Sequence, residues 1–260
     1  MKLLLTISIT ILCLLSHAQK IDMRLNVESK EKYKSIFTID FGKEDLGMQM
    51  KMELEFTQEY NKLENNNYDI DVLYTRLYTG MVLMGDSMAY DSDQPVDEPF
   101  SNVMDSICGE MVGVPMKIVM DQKGVLLSSN IDSVLSEIDP SQGDNMNKQM
   151  EQQFVEFPPK PIKIGKSWNE NKVSYSATTG EPLNMKTKYT LVRKDEKYFY
   201  VSISGTMKSQ ESDMKGVIKG LMKFDINTHI QTDSSWRMDI TIQGQEIPVF
   251  YNITTSKVIN

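Results

Sequence analysis

Residues 48–57 have the sequence Met-Gln-Met-Lys-Met-Glu-Leu-Glu-Phe-Thr, in which apolar and polar residues alternate without a break. In an extended chain, successive side chains point to opposite faces, so the five apolar residues share one side and the polar residues the other. This period of two predicts a β-strand with one buried face and one face in water.

The same alternation continues on both sides of this stretch and through the second half of the chain. Residues 116–120 and 125–127 flank the turn Asp121-Gln122-Lys123-Gly124, which predicts a hairpin. Further strands are predicted at residues 33–41, 68–78, 185–192, 198–203, 217–226, 230–242 and 248–258. A mostly β chain with about ten to twelve antiparallel strands follows.

Two amphipathic segments interrupt the strands and predict a two-helix linker. Apolar residues in 131–138 and in 144–154 have the spacing of one helix face. The proline-rich segment 157–161 fits neither a helix nor a central strand, so we expect an extended connector. The expected organisation is a first β half at 19–130, a linker at 131–161 and a second β half at 162–260, with both halves in one domain.

The two halves resemble each other, which suggests an ancient duplication. Three pairs of segments align in the same order: 50–57 with 185–192, 79–81 with 205–207, and 116–129 with 222–234. Repeated order and spacing predict two similar β halves.

The number of strands that have one apolar face, compared with only two helices to cover them, predicts the architecture. A sheet this large must close or fold over to bury its apolar face, so we expect a half-barrel or a sandwich. A half-barrel covered by two helices favours an apolar cavity. The residues predicted to line that cavity are Met48, Met50, Met52, Leu54, Phe56, Met116, Ile118, Met120, Met222 and Phe224.

The N-terminus has the pattern of a secretory signal peptide. Lys2 supplies a positive charge, residues 3–15 are mostly apolar, and Ser16-His17-Ala18 places small residues before Gln19. An apolar run this short falls below the roughly 18–20 residues that span a bilayer. We therefore expect cleavage before Gln19 and export to the periplasm or the extracellular space.

Removal of residues 1–18 leaves one cysteine, Cys108, and one histidine, His229, and 27 basic against 36 acidic residues. An internal disulfide and a zinc site with several histidines are thereby excluded. The acidic balance argues against nucleic acid and anionic membranes as partners. We expect a buried, inert Cys108 thiol and an exposed His229 in a hairpin turn.

Candidate metal sites and catalytic residues are few. Thioethers prefer Cu(I), but the methionines of 48–52 lack imidazole or thiolate partners, so an adaptable apolar surface is favoured. The acidic residues of 86–98 lack the spacing of a calcium loop, which favours a solvated loop. A carboxylate-based hydrolase stays open because its two carboxylates need only be close in space, whereas Glu53 and Glu55 lie on the wet face of the strand, where alternating charge normally serves solvation. We expect no cofactor and no metal.

Residues 157–168, Phe-Pro-Pro-Lys-Pro-Ile-Lys-Ile-Gly-Lys-Ser-Trp, resemble the FPxKPVKVGDSW element of an uncharacterised family of secreted proteins from Bacteroidetes-type bacteria. Lys166 stands where that family more often has aspartate. The resemblance implies export and duplicated β halves, and it carries over no catalytic residue because the family has no assigned activity. A tight turn at Gly165 and a strand anchored by Trp168 are expected here.

Three functions remain after these exclusions. The leading hypothesis is an exported, non-catalytic protein that binds an apolar ligand such as a lipid. In architecture alone, the expected half-barrel is similar to periplasmic lipoprotein carriers, which enclose an acyl-binding cavity. The alternatives are a structural or protein-interaction module of the cell envelope, with an envelope protein as partner, and a hydrolase that uses carboxylates.

Overall fold

The computed structural model describes residues 20–28, 30–43, 47–94, 98–130, 133, 155–175 and 181–259. Twelve β-strands account for most of these residues. In chain order they are β1 (Glu31–Lys43), β2 (Met48–Lys62), β3 (Tyr68–Leu83), β4 (Asp86–Asp91), β5 (Pro115–Met120), β6 (Leu126–Ser129), β7 (Ser167–Tyr175), β8 (Pro182–Lys194), β9 (Tyr198–Ser209), β10 (Lys215–Asp225), β11 (Gln231–Ile242) and β12 (Gln245–Lys257).

All twelve strands belong to one antiparallel sheet. Its order is β6-β5-β3-β2-β1-β12-β11-β10-β9-β8-β7, and β4 pairs with the far part of β3. The first strand of the chain pairs with the last, so that Phe37 lies opposite Ile253. This join makes the two halves one continuous sheet, which confirms the predicted large antiparallel sheet.

The alternation in residues 48–57 sets the two faces of β2. Met52 lies opposite Ile39 and Leu54 lies opposite Phe37 on β1, so these apolar side chains share one face. We call this face, which carries the hydrophobic core, the inner face, and the opposite side of the sheet the outer face. Glu53 belongs to the outer face.

The sheet curves around its inner face. Ile118 of β5 and Phe224 of β10 line the same cavity, whose volume is about 130 Å³. Their strands are six steps apart in the sheet order, which corresponds to about 29 Å in a flat sheet. A cavity this small cannot span that distance, so the sheet bends into a half-barrel, and it stays open with β6 and β7 at its edges.

The N-terminal segment, residues 20–28, closes one end of the half-barrel. The Leu25 N–H donates to the carbonyl of Gln122 in the β5–β6 turn, and the Asn26 N–H donates to the carbonyl of Thr228 in the β10–β11 turn. Met23 is completely buried beneath this crossing. The segment therefore ties the turns of the two halves together.

The predicted extended connector runs beside this segment. The Phe157 N–H donates to the Lys123 carbonyl, and the backbones of Ile162 and Ile21 exchange two hydrogen bonds. Phe157 is buried in the core. Although this connector contributes one isolated bridge, it stays outside the sheet, as its prolines predict.

The turn and the strand anchor expected after the connector are both present. Gly165 has a φ of +81°, and the following N–H, that of Lys166, donates back to the Lys163 carbonyl. Trp168 stacks on Tyr189 with ring centroids 5.3 Å apart, and it packs against the core at the start of β7. These observations confirm the predictions for Gly165 and Trp168.

The acidic segment differs from the solvated loop that its composition predicts. Residues Asp86–Asp91 form β4, and helix α1 (Pro99–Cys108) packs on this strand before a short 3₁₀ turn, Gly109–Met111. The Tyr90 hydroxyl donates to Asp105 of α1 over 2.8 Å. β4 forms because its backbone pairs with β3, and the acidic residues at its two ends gave no indication of this pairing.

The predicted two-helix linker, residues 131–156, lies almost entirely outside the described residues. The same holds for the predicted signal peptide and for the Cys108 side chain. No helix in the described segments is both long and apolar enough to cross a membrane.

The two halves share a strand order. The neighbours β1-β2-β3-β5-β6 in the first half correspond to β7-β8-β9-β10-β11 in the second. Register shifts occur in both corresponding hairpins, at Glu55/Phe56 against β3 and at Leu191/Arg193 against β9. The aligned segments 50–57 and 185–192 place Phe56 and Leu191 at these shifts, and the duplication itself stays a prediction.

Candidate functional site

The ten residues predicted to line an apolar cavity all point to the inner face. The structure brings four of them together: Phe56, Ile118, Met120 and Phe224 line the cavity between the halves. Met116 and Met222 lie beside it in the core, 2% and 6% exposed.

The other four predicted residues lie outside this cavity. Met48, Met50, Met52 and Leu54 continue along β2 towards its other end, where they are half-buried. Met50, for example, lies opposite Phe41 on β1. These side chains form an open apolar surface, and their role in binding a ligand stays a prediction.

The cavity has room for a small apolar group. Its volume of about 130 Å³ is close to that of a cavity of roughly 150 Å³ that holds benzene in another protein. Pockets for whole ligands usually measure about 300–1,000 Å³. The cavity alone therefore fits a ring or the end of a hydrocarbon chain, and a larger ligand would extend beyond it.

Polar side chains line one part of the cavity. The hydroxyls of Ser35 and Thr255 lie 2.9 Å apart and hydrogen-bond across β1 and β12. Burial raises the pKa of Tyr74 to about 12, so its hydroxyl stays neutral. Because these groups are uncharged, they can lie beside an apolar ligand without an ionic desolvation cost.

His229 closes the cavity at the end covered by the N-terminal segment. It lies in the predicted turn with a φ of +57°, but its exposure is only 9%, so the prediction of an exposed histidine was wrong. The ring packs between Phe157 and Phe199, with centroid distances of 6.3 and 5.0 Å. Burial, which disfavours the charged imidazolium, lowers its pKa.

A row of aromatic rings crosses the inner face next to the cavity. Trp236 of β11 stacks on Tyr251 of β12 with ring centroids 3.8 Å apart and planes inclined by 5°. Phe37 of β1 extends the row, 6.2 Å from Tyr251. All three rings are partly exposed. With Ile39, Met52 and Leu54 they form what we call the apolar track.

The apolar track leads directly into the cavity. Leu54 lies two residues from Phe56 on β2, and Phe37 lies two residues from Ser35 on β1, so each pair has one track residue and one cavity residue on the same face. Beyond the track, Phe41 continues the inner face of β1, and the distance along β1 from Ser35 to Phe41 is about 20 Å, at roughly 3.3 Å per residue. That length is comparable to an extended long-chain fatty acyl group.

Glu53 and Glu55, which were predicted on the wet strand face, lie on the outer face in an ion-pair network. Arg76 of β3 is 3.3 Å from Glu53, 3.2 Å from Glu55 and 2.7 Å from Asp91. Its hydrogen bonds lower the pKa of the Asp91 carboxyl. Arg76 thus balances part of the negative charge of these groups, and the hydrolase hypothesis stays a prediction.

A second acidic group lies on the inner face at the β7 edge. The Tyr189 hydroxyl donates to Glu170 over 2.9 Å, and the Lys172 ammonium lies 2.8 Å from the same carboxylate. Lys172 also lies 3.8 Å from Glu156. The lysine balances this acidic charge, and Glu170 and Glu156 lie outside the cavity described above.

Among the described residues, no group of three or more His, Cys, Asp and Glu side chains could hold a metal ion. The methionines of β2 face apolar neighbours such as Ile39 and Phe41. This environment matches the predicted adaptable apolar surface.

Sequence reasoning missed several residues of the site. Trp236 and Tyr251 were only parts of predicted strands, and Ser35 and Thr255 are small polar residues in apolar patterns. The alternation around Trp236 and Tyr251 could have assigned them to the inner face. Their stacking needs the β11–β12 register, which the sequence does not reveal.

Comparison with known proteins identifies a family and a similar fold. No curated protein matches the sequence. A solved structure described as "Lipid-protein interactions in lipovitellin" is similar, with a TM-score of 0.51 and 6% identity over 89% of this chain and 25% of that chain. This chain therefore spans a quarter of that protein, and at this identity the likeness concerns the fold alone. A model described as "Family of unknown function (DUF6263)" matches residues 65–243. Because this match covers more than half of the 260 residues, the chain belongs to the family of unknown function DUF6263.

Proposed function

We propose that this protein is an exported, non-catalytic binding protein for an apolar ligand such as a lipid. The observation that carries the proposal is the continuity between the apolar track and the cavity. If a hydrocarbon chain lay along β1 and β2, one end of it would enter the cavity and the rest would cover Phe37 and Leu54. Removal of this apolar surface from water would drive binding.

Two further observations support the proposal. The similar solved structure is described as lipid–protein interactions in lipovitellin, and the likeness in fold covers 89% of this chain. The N-terminal signal pattern and the resemblance of residues 157–168 to secreted proteins of Bacteroidetes-type bacteria support export. In such a setting a soluble half-barrel would shield an apolar ligand from water.

A fluorescent fatty acid, 11-(dansylamino)undecanoic acid, tests the proposal directly. We expect its emission to increase with the purified mature protein and to decrease when palmitate displaces it. Phe37→Asp places a charge in the apolar track and should weaken binding at least tenfold, about 1.4 kcal/mol.

Leu221→Asp is the matched control. Leu221 is 44% exposed on the outer face of β10, so the same charge there should leave binding unchanged. No uptake by the wild-type protein, or equal losses in both variants, would contradict the proposal. Native mass spectrometry of the protein after gentle purification provides an independent check for a bound lipid.

A further inference from the structure

The outer face carries a groove that the proposed function does not use. Its volume is about 370 Å³, and it crosses the ends of β12, β1, β2, β3 and β4. The cross-strand register places Phe250, Asp40, Lys51, Gly80 and Ala89 in one row along it. Since neighbouring residues in a strand face opposite sides, this row is on the reverse of the apolar track.

Small residues form the floor of the groove, and an aromatic ring lies on that floor. A Cβ atom added to Gly80 would come within 2.7 Å of the Tyr78 hydroxyl oxygen, so the tyrosine ring leans over the glycine. Ala89, the strand neighbour of Gly80, has only a methyl group. The Tyr78 side chain is partly exposed, and the Arg76 guanidinium lies 6.0 Å from its ring centre.

A second ring bounds the other end of the groove. Phe250 is 42% exposed, and the Arg237 guanidinium lies 5.3 Å from its ring centre. Tyr78 and Phe250 belong to strands three steps apart, which corresponds to about 14 Å across the sheet. The rings of Tyr78 and Phe250 are thus separated by a distance along the groove that would hold several six-membered rings.

Side chains that donate hydrogen bonds and side chains that accept them lie between the rings of Tyr78 and Phe250. Asp40 and Lys51 are direct neighbours across β1 and β2, and Gln49 is exposed beside Lys51, while Ser87 is exposed on β4 beyond Tyr78. The carboxylate accepts hydrogen bonds, the ammonium donates them, and the amide and hydroxyl do both. The Lys51 ammonium lies 3.4 Å from the Glu53 carboxylate, and side chains of both charges along the groove suit an uncharged ligand rich in hydroxyl groups.

We propose that this groove binds a neutral oligosaccharide. The C–H faces of sugar rings would pack on Tyr78 and Phe250, and the hydroxyls would hydrogen-bond to Asp40 and Lys51. Of the strands that cross the floor, β12, β1, β2 and β3 are paired on both sides and β4 pairs with β3 alone, so a peptide added to the β4 edge would lie at one end of the groove, away from Phe250. The net charge of −8 opposes nucleic acid.

A glycan array of neutral and charged oligosaccharides, followed by calorimetry with the best neutral hit, tests this proposal on the mature protein. Tyr78→Ala and Phe250→Ala should each weaken binding at least tenfold. Tyr200→Ala is the matched control, because Tyr200 is a partly exposed outer-face ring on β9 with the Arg193 guanidinium 3.9 Å from its centre. Thermal unfolding confirms that each variant is folded.

Three outcomes would overturn the proposal: no array signal, binding only to charged glycans, or equal losses in the groove variants and in Tyr200→Ala. Binding of a peptide library without any glycan would overturn it as well. A second variant, Gly80→Val, displaces the Tyr78 ring without removing it and should also abolish binding. Uptake of the fluorescent fatty acid by the groove variants should stay unchanged, which separates this site from the proposed lipid site.

Discussion

The Nδ1 atom of His229 lies 2.5 Å from the carbonyl oxygen of Arg24, a residue 205 positions earlier in the chain. This hydrogen bond fastens the N-terminal segment to the β10–β11 turn at the closed end of the half-barrel. Phe157 and Phe199 flank the imidazole and keep water from it. The stability of the end of the half-barrel closed by the N-terminal segment therefore depends on whether the His229 imidazole is protonated.

We expect the free energy of unfolding to decrease as the pH falls from 7.5 to 5.5. Burial lowers the folded-state pKa of His229 below its usual 6.5, so the unfolded chain binds a proton more readily. The hydrogen bond to the Arg24 backbone and the charges of Asp225 and Asp22 raise the pKa of His229, and burial outweighs them. The slope should reach at most about 1.4 kcal/mol per pH unit. Urea unfolding at several pH values measures it.

His229→Gln is the control for this pH dependence, because glutamine keeps a hydrogen-bonding group and does not titrate. The carboxyls of Asp22 and Glu31 have lowered pKa values, so their stabilising contributions are lost only below their ordinary values of 3.8 and 4.5. An unchanged slope in the glutamine variant would contradict the role given to His229.

A pair of glycines with the same backbone angle tests the packing of the connector. Gly124 and Gly113 both have a φ of +82°. A Cβ at Gly124 would lie 2.5 Å from the Val155 carbonyl oxygen, whereas a Cβ at Gly113 would meet nothing within 4 Å. Gly113→Ala should therefore cost about 1 kcal/mol, the usual strain of a left-handed residue, and Gly124→Ala about 2–3 kcal/mol. Equal losses of thermal stability in Gly113→Ala and Gly124→Ala would contradict the close contact between Gly124 and Val155.

The two tryptophans of the chain provide separate reporters of ligand binding. Trp236 belongs to the apolar track, while Trp168 is at the β7 edge and its indole N–H donates to the Glu156 carbonyl. Palmitate should change the emission of the Trp168→Phe variant, which keeps Trp236. The emission of Trp236→Phe should stay constant. A change of emission only in Trp236→Phe would indicate that palmitate binds at the β7 edge, beside Trp168.

Much of the local structure could be predicted from the alternating pattern. The strands β1 to β3 and β5 to β12 were expected, and the turn residues Asp121 to Gly124 predicted one hairpin. Helix α1 was missed because it is only ten residues long and follows an acidic, proline-containing segment. Short helices of this kind are stabilised by tertiary packing more than by their own sequence.

The candidate site was predicted in part. Phe56, Ile118, Met120 and Phe224 were expected near a cavity because of their types and alternation, and the structure places them together. Trp236 and Tyr251 were missed, because the stacking of two rings depends on which strands become neighbours.

The sequence alone determined which residues form strands and which face each side chain takes, because the period of two is a property of the local chain. Only the tertiary structure decided that β1 pairs with β12 and that Arg24 meets His229. Alternation specifies a face and leaves the partner strand open. Choosing the partner depends on burying the apolar face of the whole sheet at once, and that free energy belongs to the folded chain rather than to any single segment.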